Sequence, residues 1–96
     1  MIQEVFAMEK RFKITTREGL HARPCTLLVS AATLFSADVQ LTYNERTVNL
    51  KSIMGVMAQG ISSGAIVTIA AKGEDEEAAI DKVTEVITSQ GIGEEW

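Results

Sequence analysis

Between Arg11 and Phe35 the apolar residues change from a spacing of two to a helical stripe, and the change falls within Gly19-Leu20-His21-Ala22-Arg23-Pro24. A strand must therefore hand over to a helix through a short corner, which constrains the two to pack together as neighbouring layers. Phe12 and Ile14 alternate with Arg11, Lys13 and Thr15 over Arg11 to Thr16, the pattern of a half-buried strand. Arg17-Glu18-Gly19 reads as the loop. After Pro24, Leu27, Leu28, Ala31, Ala32, Leu34 and Phe35 mark one helix face that needs a sheet beneath it. Pro24 suits a first helical turn, where a missing N–H costs nothing, and its ring disfavours helical geometry at Arg23, so Arg23 is expected outside the helix.

A spacing of two returns at Val39, Leu41 and Tyr43 over Asp38 to Thr42, and Thr47 to Leu50 follows a polar turn at Asn44-Glu45-Arg46, predicting an antiparallel hairpin. Ser52 then stands as N-cap to a short helix, Ile53-Met54-Gly55-Val56-Met57, closed by Gly60, with Gly55 permitting close packing. Beyond the loop Ser62-Ser63-Gly64, Ala65 to Ala71 is almost wholly apolar and rich in β-branched residues, as expected for a mid-sheet strand. Gly73 precedes the acidic run Glu74-Asp75-Glu76-Glu77, which reads as a solvated helix start and not a binding site. Ala79, Ile80, Val83, Val86 and Ile87 supply that helix's buried stripe, and Gly91 its stop. The predicted order is β-α-β-β-α-β-α, an α+β two-layer sandwich with a four-stranded antiparallel sheet and three helices on one face. Residues 1–8 either extend the first strand or precede a natural start at Met8, and residues 92–96 form a tail with no assigned role.

With 96 residues and 46% hydrophobic content, the chain has material for one core and hence a single domain over 1–96. A formal charge of −4 argues against direct nucleic-acid binding, because phosphate backbones are held by clustered Lys and Arg. No charged leader opens the chain, and no apolar run approaches the ~20 residues that cross a bilayer. One cysteine cannot form an internal disulfide. Together these predict a cytoplasmic protein without membrane insertion. No dinucleotide fingerprint, P-loop or metal-spaced His/Cys cluster is present, so neither cofactor nor metal is expected.

His21 is the only histidine. An unperturbed imidazole has a pKa of ~6.5, so near neutrality much of it keeps a nitrogen lone pair able to attack phosphorus. A helix start nearby offers unpaired N–H groups and a positive dipole end to a transferred phosphoryl group, and Arg23 can add a fork of donors. The plain alternative is a polar surface residue or helix cap. Ser52 likewise reads locally as an N-cap, and Met54 and Met57 as core filling or as adaptable surface for several partners.

Three stretches taken together resemble the histidine-containing phosphocarrier (HPr) family of the bacterial sugar phosphotransferase system: Gly19 to Pro24, Val48 to Met57, and Gly64 to Ile69 followed by the acidic start of the last helix. Their order and separation match from about Arg11 to Gly91. The resemblance implies an open-faced sandwich, and a carrier without catalytic turnover in which His21 takes a phosphoryl group on Nδ1 from phosphorylated enzyme I and passes it to sugar-specific enzyme IIA domains. Arg23 would steady the phosphate. Ser52 matches the position that, in the Gram-positive branch, HPr kinase/phosphorylase modifies, a state linked to carbon catabolite repression through the catabolite control protein. A phosphoserine there adds roughly −2 charge near the docking face. By the same resemblance Ile53, Met54 and Met57 form the shared contact patch, with Leu20, Arg23, Thr26 and Leu27 at its rim.

Cys25 stands where alanine is most common in the family, Glu45 where a turn glycine is frequent, and Gln59 where leucine is frequent. Cys25 is either a packed thiol or, if exposed, an oxidation-sensitive group beside the site. Two further readings remain open at this level. One is a mainly regulatory paralogue acting through phospho-Ser52 on a transcription factor, or a nitrogen-regulatory carrier. The other is a metabolite-binding α+β domain with no phosphotransfer.

Overall fold

The computed structural model describes residues 8–96. The elements run β1 (Met8–Ile14), α1 (Ala22–Ala32), β2 (Asp38–Tyr43), β3 (Arg46–Asn49), α2 (Ile53–Ala58), β4 (Ile66–Lys72), α3 (Glu76–Ser89) and β5 (Gly93–Glu95). All strand pairs are antiparallel, and the sheet order is β3-β2-β4-β1-β5. β4 lies mid-sheet, and that position accounts for its near-continuous apolar run. Phe12, Ile14, Val39, Leu41, Val67, Ile69 and Ala71 point from the sheet into a core that α1 and α3 complete with Leu28, Ala32, Ile80, Val83 and Ile87. α1 packs on α3 and on α2, and the result is an open-faced α+β sandwich.

The expected four-stranded sheet has five strands. β5, in the stretch read as a tail, pairs with β1 in the register Phe12↔Glu95, Lys13↔Glu94 and Ile14↔Gly93, and the Trp96 N–H donates to Arg11 O at 2.9 Å. Three residues carry no readable period, and Glu94-Glu95 is polar. What makes them a strand is the open edge of β1, whose unpaired backbone groups are a template for pairing. Buried Ile92 brings the chain to that edge, and at Gly93 a Cβ would sit 2.5 Å from Lys13 O, so only glycine lets the backbones close. Lys10 pairs with Glu95 at 3.3 Å, and Lys13 Nζ lies 4.7 Å from the Trp96 ring centroid. The start of β1 at Met8 is earlier than Arg11, and the question of what precedes it falls outside the described residues.

Smaller differences have equally local causes. Arg23 is helical, with Pro24 buried as the third residue of α1, because none of the first N–H groups of a helix has an intrahelical partner to lose. α1 ends at Ala32, so Leu34, extrapolated onto its stripe, is 68% exposed. The acidic run is more than a solvated start. Asp75 accepts hydrogen bonds from the Ser36 and Ala37 N–H groups at 2.9 and 2.8 Å, tying the entry of α3 to the α1–β2 loop, while Glu76 accepts from the Gly73 N–H at 2.9 Å.

The backbone N–H of Ser36, with further donors from Ala37 and the Ser36 hydroxyl, holds the Asp75 carboxyl below its ordinary value of about 3.8. A lowered folded pKa means that the stabilisation is complete above the unfolded value and is lost as pH falls through the folded one. Asp75→Ala should therefore lower the urea midpoint at pH 7, and the gap from wild type should shrink toward zero as pH drops below about 3.8. The hairpin turn gives a second expectation. Asn44 and Glu45 have φ of 52° and 66°, the pair of left-handed residues a two-residue hairpin turn requires. Glu45→Gly should stabilise the fold by about 1 kcal/mol in chemical denaturation, since a side chain in this region is strained.

Candidate functional site

Gly19 sets the geometry of the β1–α1 corner. Its φ is +70°, and a Cβ would lie 2.3 Å from Ile61 O and 2.8 Å from Ser62 Cα, so the chain presses against the loop before β4 with no room for a side chain. The Gly19 N–H donates to Thr16 O and the Leu20 N–H to Ile61 O, both at 3.0 Å, and the Leu20 side chain is buried. With Leu20 turned inward, His21 is turned out, its side chain 42% exposed.

His21 occupies the N-cap position of α1 with extended backbone, and its side chain makes no cap hydrogen bond. The plain alternative of a capping histidine is thus not the geometry found. Its carbonyl accepts the Cys25 N–H at 3.1 Å, whereas the Ala22 and Arg23 N–H groups have no partner among the described residues. Arg23 is exposed, and its guanidinium has no ion pair or hydrogen bond among the described residues. Beside the ring lies a cavity of about 120 Å³ lined by Thr16, His21, Arg23, Pro24, Leu27, Gln90 and Ile92. Unpaired amides at a helix start, an unpaired guanidinium and an exposed imidazole thus stand close together at this corner, the groups that oxyanion binding beside a nucleophile requires.

α2 carries the second group. Ser52 is its N-cap, with Oγ accepting the Gly55 N–H at 3.0 Å. A Cβ on Gly55 would stand 3.1 Å from that oxygen, which is the close packing expected of this glycine. Ile53, Met54 and Met57 are 41%, 82% and 43% exposed, so these methionines are surface and not core; Val56 is the residue α2 buries. Because α1 packs on α2, this apolar surface belongs to the same layer of the molecule as the His21 helix.

Not every rim residue is where the resemblance put it. Leu20 is 5% exposed and anchors the corner from inside, offering no docking surface. Thr26 is exposed, its hydroxyl donating to Ala22 O at 2.9 Å, and Leu27 is half-buried beside the His21 cavity. Cys25 is fully buried, its Sγ 3.1 Å from Leu20 O, and burial pushes the thiol pKa up. It is the packed thiol of the two readings, removed from redox chemistry by the loss of thiolate character. Gln59 is half-buried and donates from Nε2 to Arg46 O at 3.0 Å, which ties α2 to the hairpin. Gln90 went unassigned in the sequence, since only folding brings it beside the ring, and Thr16 and Glu18 were read only as strand end and loop; Glu18 Oε1 lies 3.9 Å from His21 Nε2.

The fold and this corner define a small phosphocarrier domain. A family model described as the PTS HPr component phosphorylation site matches residues 8–89, and the chain belongs to the HPr family of the phosphotransferase system. The histidine-containing phosphocarrier protein of a Mycoplasma is 37% identical, with 90% of this chain and 98% of that one covered and a TM-score of 0.87. The phosphocarrier protein HPr of Bacillus anthracis is 38% identical over 82% of this chain and 94% of that one, with a TM-score of 0.76. Crh, a catabolite repression protein of Bacillus subtilis, is 36% identical over 96% and 99%, with a TM-score of 0.68. No helix among the described residues is long and apolar enough to cross a membrane.

Proposed function

We propose that this protein relays phosphoryl groups in the cytoplasm: His21 accepts one on Nδ1 from phosphorylated enzyme I and donates it to sugar-specific enzyme IIA domains. The observation that carries this reading is the exposed imidazole beside the open Ala22 and Arg23 amides and the free Arg23 side chain. The amides and guanidinium hold the phosphoryl oxygens while the ring nitrogen bonds to phosphorus. The N–P bond retains high transfer potential, so the group remains transferable to the next protein. Ile53, Met54, Met57, Thr26 and Leu27 form the docking surface, where flexible methionines suit more than one partner.

Ser52 is the regulatory site in the same proposal, modified by HPr kinase/phosphorylase and read by the catabolite control protein. Its hydroxyl stands at the edge of the apolar patch. A phosphate there places about −2 charge beside that surface, which weakens docking to an acidic partner and recruits a basic one. The likeness to Crh, which covers the same fold, does not favour a purely regulatory role, because the open His21 corner has no use in one.

Incubation with enzyme I and phosphoenolpyruvate should yield one acid-labile, base-stable phosphate on His21, dischargeable to an enzyme IIA domain. Absence of label in the folded protein would overturn the relay. Label at Ser52 by the kinase, with regulator binding but no discharge to enzyme IIA, would establish the regulatory reading instead.

A further inference from the structure

We infer that Glu18 is a positioning residue for the His21 ring: its carboxylate holds the imidazole proton on Nε2 and so presents the Nδ1 lone pair as the nucleophile. This rests on His21 being the phosphoryl acceptor. Glu18 Oε1 lies 3.9 Å from Nε2, one small side-chain adjustment from a hydrogen bond. The backbones that carry the two groups are held by successive turns. Gly19 N–H to Thr16 O closes the first, His21 N–H to Gly19 O at 3.0 Å closes the second, and Leu20 between them is pinned to Ile61. Left-handed Gly19 makes the sharp return that brings residues 18 and 21 to the same side.

A neutral imidazole has one proton for two nitrogens, and an acceptor at one of them selects which is left as a lone pair. With Nε2–H facing Glu18, Nδ1 attacks phosphorus; the Nδ1–P bond forms as the donor's bond to phosphorus breaks and its electron pair leaves with the donor. The ring is then cationic, and its Nε2–H faces a carboxylate. On onward transfer the Nδ1–P bond breaks, the pair returns to Nδ1, and imidazole departs neutral because Nε2 has kept its proton. An imidazolate would be a far poorer leaving group. Arg23 lines the hollow beside the ring and makes no ion pair with Glu18 among the described residues, so the Glu18 carboxylate is left to face Nε2.

The test is long-range 15N–1H NMR of the His21 side chain in the unphosphorylated protein at a pH where the ring is neutral, paired with the rate of phosphoryl acceptance. Wild type should show mainly the Nε2–H tautomer. Glu18→Ala should lower the ratio of Nε2–H to Nδ1–H by ~3-fold and slow acceptance by a similar factor, the scale of an exposed pair. Glu18→Gln, which keeps an acceptor oxygen, should restore part of both. An unchanged ratio in Glu18→Ala, or Nδ1–H dominant in wild type, overturns the inference. Glu18 is exposed, so its variants fold, and the tautomer is read without phosphorylation; a wild-type protein that takes no phosphate therefore refutes the relay separately.

Discussion

His21→Ala should reduce phosphoryl acceptance from enzyme I by on the order of 1,000-fold or more, to the limit of detection, while leaving the denaturation midpoint within error of wild type. Removing a nucleophile removes the covalent path itself, which is why the loss is so large. Stability is untouched because the imidazole makes no cap hydrogen bond and lies at the exposed surface, outside the core. Arg23→Ala should be the intermediate case. Its guanidinium stabilises charge on the phosphoryl oxygens, and the open amides of Ala22 and residue 23 survive the substitution, so a loss of ~100-fold is expected. Stopped incubations with labelled phosphoenolpyruvate give both rates. Full acceptance by His21→Ala would mean that another residue carries the phosphate.

Gly19→Ala should damage fold and site together. A side chain at φ +70° costs about 1–2 kcal/mol, and here the added methyl also meets Ile61 O at 2.3 Å, a backbone atom that cannot rotate away. We expect a loss of about 3 kcal/mol in urea denaturation, a large share of the stability of a small domain. Acceptance by the protein that remains folded should also fall, by ~10-fold, because relief of the clash moves the turn from which the His21 N–H and the Leu20 N–H are held. A variant as stable and as active as wild type would show that the corner is not set by this close approach.

These two positions also show what could be read before folding. His21 stood out locally as a single imidazole next to a helix start and an arginine, while its reading as a phosphoryl acceptor came from the resemblance carried by three stretches of the chain. The roles of Ser52 as N-cap and Gly91 as helix stop were legible locally, since a cap is decided within one turn. Leu20 was misplaced at the docking rim. It sits between Gly19 and exposed His21 in a polar loop, and its turn into the core goes with the N–H bond to Ile61, far along the chain. Asp75 looked like one acid among four until the α1–β2 loop supplied its donors.

The linear chain by itself determined the order of strands and helices up to Ser89, the inward faces of β1, β2 and α3, and the side-chain chemistry present at His21, because period, capping and side-chain identity act over a few residues. Tertiary structure alone decided that Gly93 to Glu95 become a fifth strand, that Gly19 is wedged against Ile61, and that Gln90 after α3 comes to the hollow beside the ring. Each of these depends on an edge, a carbonyl or a side chain supplied by another part of the chain, and no local pattern encodes where such a partner will stand once the core has closed.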